Sequence, residues 1–202
     1  MTDENLWLRR LAEDPNHSQW YVDRFRAMAS EGADLAGEAR LVDAMAPRGS
    51  RVLDAGCGSG RVGAALAAVG HEVVGVDLDP VLVAAAEQDH PGPRWLVGDL
   101  SRLDLSAEGI SEGFDVIVSA GNVMAFVAPA TRREVLRRLR GHLRDGGRVV
   151  IGFGSGRGYE FAEFLADVEA AELVPDLLLS TWDLRPFTDK SDFLVAVLRP
   201  AG

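Results

Sequence analysis

The sequence has a single cysteine, Cys57, among its 202 residues. An intrachain disulfide is therefore impossible, and the cysteine content gives no sign of an oxidising compartment. The four histidines, at positions 17, 71, 90 and 142, lack the spacing of metal ligands, so we expect no metal site. Cys57 itself lies in a glycine-rich stretch, where a small side chain tolerated in a tight turn is a better interpretation than a nucleophile.

Long apolar runs are also missing. No run approaches the ~18 residues that a membrane-spanning helix needs. The N-terminus, Met1-Thr2-Asp3-Glu4-Asn5, is acidic and lacks the basic start and apolar core of a signal peptide. We therefore expect a cytoplasmic protein without a membrane partner.

Positive charge is scarce as well: the formal net charge is -10, and Lys190 is the only lysine. Affinity for nucleic acids rests on clustered basic residues. The densest cluster, the arginines within 132–144, surrounds an apolar stripe that includes Leu136 and Leu139, and this pattern predicts a helix with a solvated basic face. We expect no nucleic-acid partner.

What is present from Arg51 onward is an alternation of apolar strands and helices, which predicts βαβ units and a doubly wound, mainly parallel α/β sheet. We predict a single domain over residues 1–202, with 51–199 as its core. The expected strands are Arg51–Asp54, Glu72–Asp77, Arg94–Val97, Phe114–Ser119, Arg148–Phe153, Leu177–Leu184 and Asp192–Leu198, and the expected helices are Arg61–Val69, Pro80–Gln88, Pro129–Leu143 and Gly158–Glu172.

The two ends of the chain depart from this alternation. Residues 185–190 are too short for a crossover helix, so the last two of the seven strands should form an antiparallel hairpin. The first 46 residues contain no strand candidate and read as helices: one opened by an Asn16 and Gln19 capping pair, and a second from Glu38 to Ala46. We interpret residues 1–46 as a helical lid.

The first strand runs into the glycine-rich stretch, whose core is Asp54-Ala55-Gly56-Cys57-Gly58-Ser59-Gly60. Glycines at this spacing let backbone N–H groups approach a ligand, and the next helix points its positive dipole end at the same place. A carboxylate at Asp54 would repel a pyrophosphate but attract a cationic ligand. The stretch predicts a site for a small ligand that carries positive charge.

In this stretch the sequence resembles the class I S-adenosylmethionine-dependent methyltransferases, which have a Rossmann-like fold and a similar first motif. The resemblance implies S-adenosylmethionine as cofactor, bound by Asp54, Gly56 and Gly58. It also places the ribose hydroxyls on Asp77, at the end of the second strand, with Leu78 beside it.

The later strand ends complete that implied site. By the same resemblance, Asp99 accepts a hydrogen bond from the adenine amino group and the Leu100 backbone contacts the ring. Ala120, after the fourth strand, leaves room for the cofactor. For Asp99 the alternative is a solvated carboxylate in an ordinary turn.

Two other functions remain open from the sequence. Gly58-Ser59-Gly60-Arg61-Val62-Gly63 matches the G-x-G-x-x-G pattern of nicotinamide-dependent oxidoreductases, but both families share this strand, turn and helix. Asp54, Asp99 and the closing hairpin favour the methyltransferase. The third possibility is a module that binds S-adenosylmethionine without turnover.

For a methyltransferase, we expect in-line methyl transfer to a small-molecule acceptor. Arg40 is a candidate partner for the cofactor's carboxylate. No residue stands out as a general base, and the sequence indicates no particular oligomeric state. The side chains that we expect to line the acceptor pocket are Trp20, Tyr21, Asn122 and Phe126.

Overall fold

The computed structural model describes residues 4–202, and these begin with three helices. They are α1 (Leu6–Glu13), α2 (His17–Ser30) and α3 (Gly37–Met45). The chain then alternates between strands and helices, as its hydrophobic pattern predicts. In order, these elements are β1 (Arg51–Ala55), α4 (Arg61–Ala68), β2 (Glu72–Asp77), α5 (Pro80–Asp89), β3 (Arg94–Val97), β4 (Phe114–Ser119), α6 (Val123–Phe126), α7 (Arg132–Gly141), β5 (Leu143–Gly154), α8 (Phe161–Ala170), β6 (Leu173–Leu179) and β7 (Phe193–Pro200).

The seven strands form one sheet in the order β3-β2-β1-β4-β5-β7-β6. Strands β1 to β5 are parallel to one another, whereas β7 runs antiparallel to both β5 and β6. The doubly wound sheet with an antiparallel C-terminal end is thus confirmed. Strand order reverses between β1 and β4, and in such sheets a ligand binds beyond the carboxyl ends of the strands at this point.

Helices cover both faces of the sheet. On one face, Leu41 and Val42 of α3 and Leu66 of α4 pack on the central strands. On the other face, α7 and α8 contribute the larger cluster, with Leu136 and Phe164 fully buried. The central strands are apolar on both sides, as parallel strands between two helical layers must be.

The structure corrects the predicted bounds of the last hairpin. Strand β6 spans Leu173–Leu179 rather than Leu177–Leu184, and the connection to β7 is residues 180–192 rather than 185–190. Pro175 hid the start of this strand, because proline has no backbone N–H to donate to a neighbouring strand. It is tolerated here since β6 lies at the sheet edge and its register shifts at Pro175.

The capping pair predicted for α2 is also wrong. Asn16 occupies the N-cap position but makes no side-chain cap hydrogen bond, and Gln19 donates instead to Asp23 Oδ1 at 2.8 Å. Within residues 4–202, none of the helices is long and apolar enough to cross a membrane.

Candidate cofactor site at the glycine loop

The glycine loop, residues 56–60, connects β1 to α4 at the carboxyl edge of the sheet. Its first turn is tied to the neighbouring strand, because the N–H groups of Gly56 and Cys57 both donate to the Val76 carbonyl, at 2.8 and 3.0 Å. Gly56 has a φ of +84°, and a Cβ there would lie 2.4 Å from the Val123 side chain. Only glycine satisfies both constraints.

Asp54 lies beneath this loop and is 2% exposed. Its Oδ2 accepts a hydrogen bond from the Gly63 N–H in the first turn of α4, at 2.8 Å. Burial raises the pKa of this carboxyl to about 7, against the opposing effects of the Gly63 hydrogen bond and the nearby Arg61 charge. A cationic ligand beside Asp54 would favour the ionised form.

Asp77 ends β2 and fixes the loop from the other side. Its Oδ2 accepts from the Gly58 N–H at 2.8 Å, and its Oδ1 accepts from the Asp79 N–H at 2.9 Å. Burial raises the pKa of Asp77, and these backbone hydrogen bonds oppose the increase. A carboxylate has about four lone-pair positions, so Asp77 retains the capacity to accept hydrogen bonds from a ligand.

Trp95 is a part of this site that the sequence analysis missed. Its indole lies against Gly60, Gly63 and Gly75, and a Cβ on Gly75 would come within 2.2 Å of the ring. The indole N–H donates to the His90 carbonyl at 3.0 Å. Three glycines thus form the slot for one buried aromatic ring, and the only sequence signal was Gly75 inside an otherwise β-branched strand.

The remaining predicted cofactor residues lie along the same edge. Asp99 caps a short 3-10 turn, Leu100–Arg102, by accepting from the Ser101 N–H at 2.8 Å, and Leu100 is buried. Leu78 is half-buried between Asp77 and the start of α5. Ala120 lines the cavity described next.

A cavity lies between the glycine loop and α2. Its volume is about 20 Å³, room for about one water molecule, and its walls include Tyr21 and Phe25 of α2, Asp54 and Ala120. The Tyr21 ring carbons come within 3.6 Å of the position that a Cβ on Gly58 would take. Helix α2 therefore lies directly over the loop.

Arg61 is the second residue that the sequence analysis missed. It lines the cavity and forms two hydrogen bonds with the Glu38 carboxylate, and its guanidinium lies 5.5 Å from the centre of the Phe25 ring. Arg40, which we expected at this place, instead forms an exposed bidentate pair with Asp34 at 2.7 and 2.8 Å. The positively charged side chain in the cavity wall is thus Arg61 of α4 rather than Arg40 of α3.

The four residues expected to line the acceptor pocket lie in different surroundings. Tyr21 lines the cavity, whereas Trp20 is 52% exposed and stacks on His17. Asn122 has a φ of +68°, and its Oδ1 accepts from the Gly154 N–H at 2.8 Å, which joins the ends of β4 and β5. Phe126 packs edge-on against Trp7.

Cys57 lines the same cavity but has the wrong environment for a nucleophile. Burial raises the pKa of its thiol well above the ordinary value, and the nearby carboxylates of Asp54 and Asp77 add to the increase. A protonated thiol is a poor nucleophile. Across residues 4–202, no three His, Cys, Asp or Glu side chains are grouped so that they would hold a metal ion.

Comparisons with known proteins agree with this geometry. A family model described as a methyltransferase domain matches residues 52–147, which run from β1 into β5. The crystal structure of a TehB-like S-adenosylmethionine-dependent methyltransferase from Corynebacterium glutamicum is 50% identical to this chain. It superposes with a TM-score of 0.87 and covers 93% of this chain and 100% of its own.

Curated relatives carry several methyltransferase names. A ubiquinone biosynthesis O-methyltransferase from Xanthomonas axonopodis is 30% identical, covering 95% of this chain and 83% of its own length. A ribosomal protein L11 methyltransferase from Methylococcus capsulatus is 34% identical over 70% of this chain, but only 46% of its own length is matched. This chain spans about half the length of the first few curated relatives it matches.

Proposed function

The chain belongs to the S-adenosylmethionine-dependent methyltransferases, and on that premise we propose that it transfers the methyl group of S-adenosylmethionine to a small-molecule acceptor in the cytoplasm. The observation that carries the acceptor class is the position of Tyr21 and Phe25 over the glycine loop. These rings reduce the cavity to about 20 Å³, so α2 has to move away from the loop before a cofactor and a small acceptor can enter together.

The residues around the glycine loop fit this cofactor. When bound, S-adenosylmethionine supplies a methyl group already activated on a sulfonium, together with an ammonium, a carboxylate and two ribose hydroxyls. Asp54 offers a buried carboxylate for the cationic groups, and Arg61 offers a guanidinium on the same cavity wall for the carboxylate. Asp77 retains acceptor capacity for the two hydroxyls.

The chain's own contribution to the reaction is positioning and the exclusion of water. Tyr21 and Phe25 pack against each other with ring centres 4.8 Å apart, so they present a continuous apolar surface to the cavity. Water excluded from the cavity strengthens the attraction of Asp54 for positive charge. This arrangement supports a helical lid over residues 4–46, with residues 1–3 of the expected lid outside the described residues, because α2 must move away from Gly58 for a ligand to enter.

A transfer experiment tests the acceptor class. A cell extract is incubated with the protein and with S-adenosylmethionine labelled in its methyl group, and the products are then separated by ultrafiltration. We expect protein-dependent label in the fraction that passes the filter. Label that appears only in retained protein or RNA would contradict a small-molecule acceptor, and a macromolecular substrate, such as the relative's name states, would then replace it.

Controls separate catalysis from binding. The Asp77→Ala variant should lose the transfer, whereas Asp176→Ala, on the edge strand β6, should retain it. If the wild type binds S-adenosylmethionine in calorimetry but labels neither fraction, the chain acts as a binding module. If it binds neither S-adenosylmethionine nor S-adenosylhomocysteine, the proposed function is wrong.

A further inference from the structure

Asp79 joins the first two helices to the sheet through one carboxylate. Its Oδ1 accepts from the Val81 N–H at 2.8 Å and so caps α5, as its position before Pro80 indicates. Its Oδ2 accepts from two side chains of the N-terminal helices: the Trp7 indole N–H of α1, at 2.8 Å, and the Ser18 hydroxyl of α2. Asp79 is 1% exposed, so the acceptor of all these bonds is itself buried.

The same turn is hydrogen-bonded to the cofactor side of the site. The Asp79 N–H donates to Asp77 Oδ1 at 2.9 Å, and Asp77 Oδ2 accepts from the Gly58 N–H at 2.8 Å. The turn at residues 77–79 is therefore connected to the glycine loop at one end and to α1 and α2 at the other. A shift of either end acts on the carboxylate that faces the ribose in the proposed function.

The other contacts of these two helices are mainly apolar and aromatic, such as those of Trp7 with Phe126 and of Phe25 with Arg61. Helix α1 has no fully buried residue. Helix α2 buries Val22 against Leu82 and Ala85 of α5, and its Arg26 pairs with Asp89 at the surface. The bonds to Asp79 are thus the buried polar contacts that connect both helices to the turn.

We propose that Asp79 is a positioning residue, which holds α1 and α2 closed over the candidate site and thereby slows the release of a bound ligand. Tyr21 lies one turn of α2 from Ser18, so α2 cannot lift from Gly58 without straining the bonds at Asp79. Removing one donor leaves a buried carboxylate oxygen with fewer hydrogen bonds in the closed arrangement, whereas water can replace that donor once the helices open, so the loss of a donor favours opening. We call the bonds of Trp7 and Ser18 to Asp79 the latch. The identity of the ligand rests on the proposed function, but the latch itself does not.

The first test needs no ligand. Trp7→Phe and Ser18→Ala each remove one donor and leave the cap on α5 intact, unlike a substitution of Asp79 itself. Exposed residues of the same helices supply matched controls, Leu8→Ala on α1 and Ser30→Ala on α2. We expect hydrogen exchange within residues 6–30 to be about tenfold faster in both test variants than in the controls, with unchanged exchange in β1 and β4.

The second test measures the release of S-adenosylhomocysteine by stopped-flow dilution. We expect the dissociation rate constant to rise about tenfold in Trp7→Phe and Ser18→Ala, and to stay at the wild-type value in the controls. A general loss of stability would instead accelerate exchange in the sheet together with the helices, and this would overturn the latch.

The two proposals fail in different ways. A wild type that binds neither S-adenosylmethionine nor its product refutes the proposed function, while hydrogen exchange in the free protein still decides the latch. A wild type that binds the product, with both test variants releasing it at the wild-type rate, overturns the latch and leaves the proposed function intact.

Discussion

The glycine loop and the N-terminal helices border the same cavity, but they are held in different ways. Backbone N–H groups of the loop and of the first turn of α4 bond to buried or half-buried carboxylates, as Gly58 does to Asp77 and Gly63 to Asp54. The helices are held by single side chains, such as Trp7 and Ser18. A backbone contact survives most substitutions of the donor residue, whereas a side-chain contact is lost with one. The loop is therefore the rigid side of the cavity, and the N-terminal helices are the side that can move.

The largest effect that would sharpen this comparison is at Asp77. Asp77→Ala removes the acceptor for the Gly58 N–H and the proposed partner of the ribose hydroxyls. Charge-assisted bonds of this kind are worth about 2 to 3 kcal/mol, so we expect affinity for S-adenosylhomocysteine to fall about a hundredfold in calorimetry. Asp77→Asn, which keeps one acceptor oxygen, should lose less. Unchanged affinity in a folded Asp77→Ala protein would remove this residue from the site.

A second substitution tests how rigidly Trp95 is packed between β2 and the start of α4, beside the glycine loop. Gly75→Ala places a Cβ 2.2 Å from the Trp95 ring, and such overpacking costs about 1 to 3 kcal/mol of the free energy of unfolding. Gly141→Ala is the matched control, since nothing lies within 4 Å of its Cβ position and its φ is not positive. Urea denaturation compares the two. Equal stability of both variants would mean that Trp95 can shift to accommodate the added Cβ at little cost in the free energy of unfolding.

The third prediction concerns pH and Asp54. Its pKa is about 7 in the folded protein and about 3.9 in an unfolded chain, so the folded state binds the proton more tightly. The stabilisation is fully present below about pH 4 and is lost as the pH rises through 7, with a slope of at most about 1.4 kcal/mol per pH unit. Urea denaturation between pH 5 and 8 should show this decline for the wild type and a flatter profile for Asp54→Asn. If stability fell equally with pH in the wild type and in Asp54→Asn, the decline would not be caused by Asp54.

The smallest expected effects distinguish the two arginines near the cavity. Arg61→Ala removes the guanidinium from the cavity wall and its bonds to Glu38, and we expect affinity for S-adenosylhomocysteine to fall about tenfold. Arg40→Ala breaks only an exposed pair with Asp34, so affinity and stability should both stay at the wild-type values. Calorimetry on both variants makes the comparison. A larger loss of affinity in Arg40→Ala than in Arg61→Ala would show that Arg40, rather than Arg61, interacts with the ligand.

These contrasts also explain how far the sequence could be interpreted. The strand ends and the glycine loop follow from local pattern, because apolar runs, glycine spacing and terminal carboxylates are all visible within a few residues of one another. The contacts of Trp7 with Asp79 and of Gly75 with Trp95 are not visible, since they join residues that only the folded sheet brings together. Arg40 and Arg61 are equally plausible in sequence, and only the packing of α3 against α4 decides which one lines the cavity.

The position of the one thiol makes its labelling rate a measure of how often the cavity opens. Cys57 is 8% exposed in the cavity wall and has no competing cysteine, so a thiol reagent added in excess modifies the chain at this atom alone. Labelling must wait until the cavity opens, and its rate counts openings in the unaltered protein without any engineered probe. The mass of the intact chain, followed over time, would report how often the site is exposed to its surroundings.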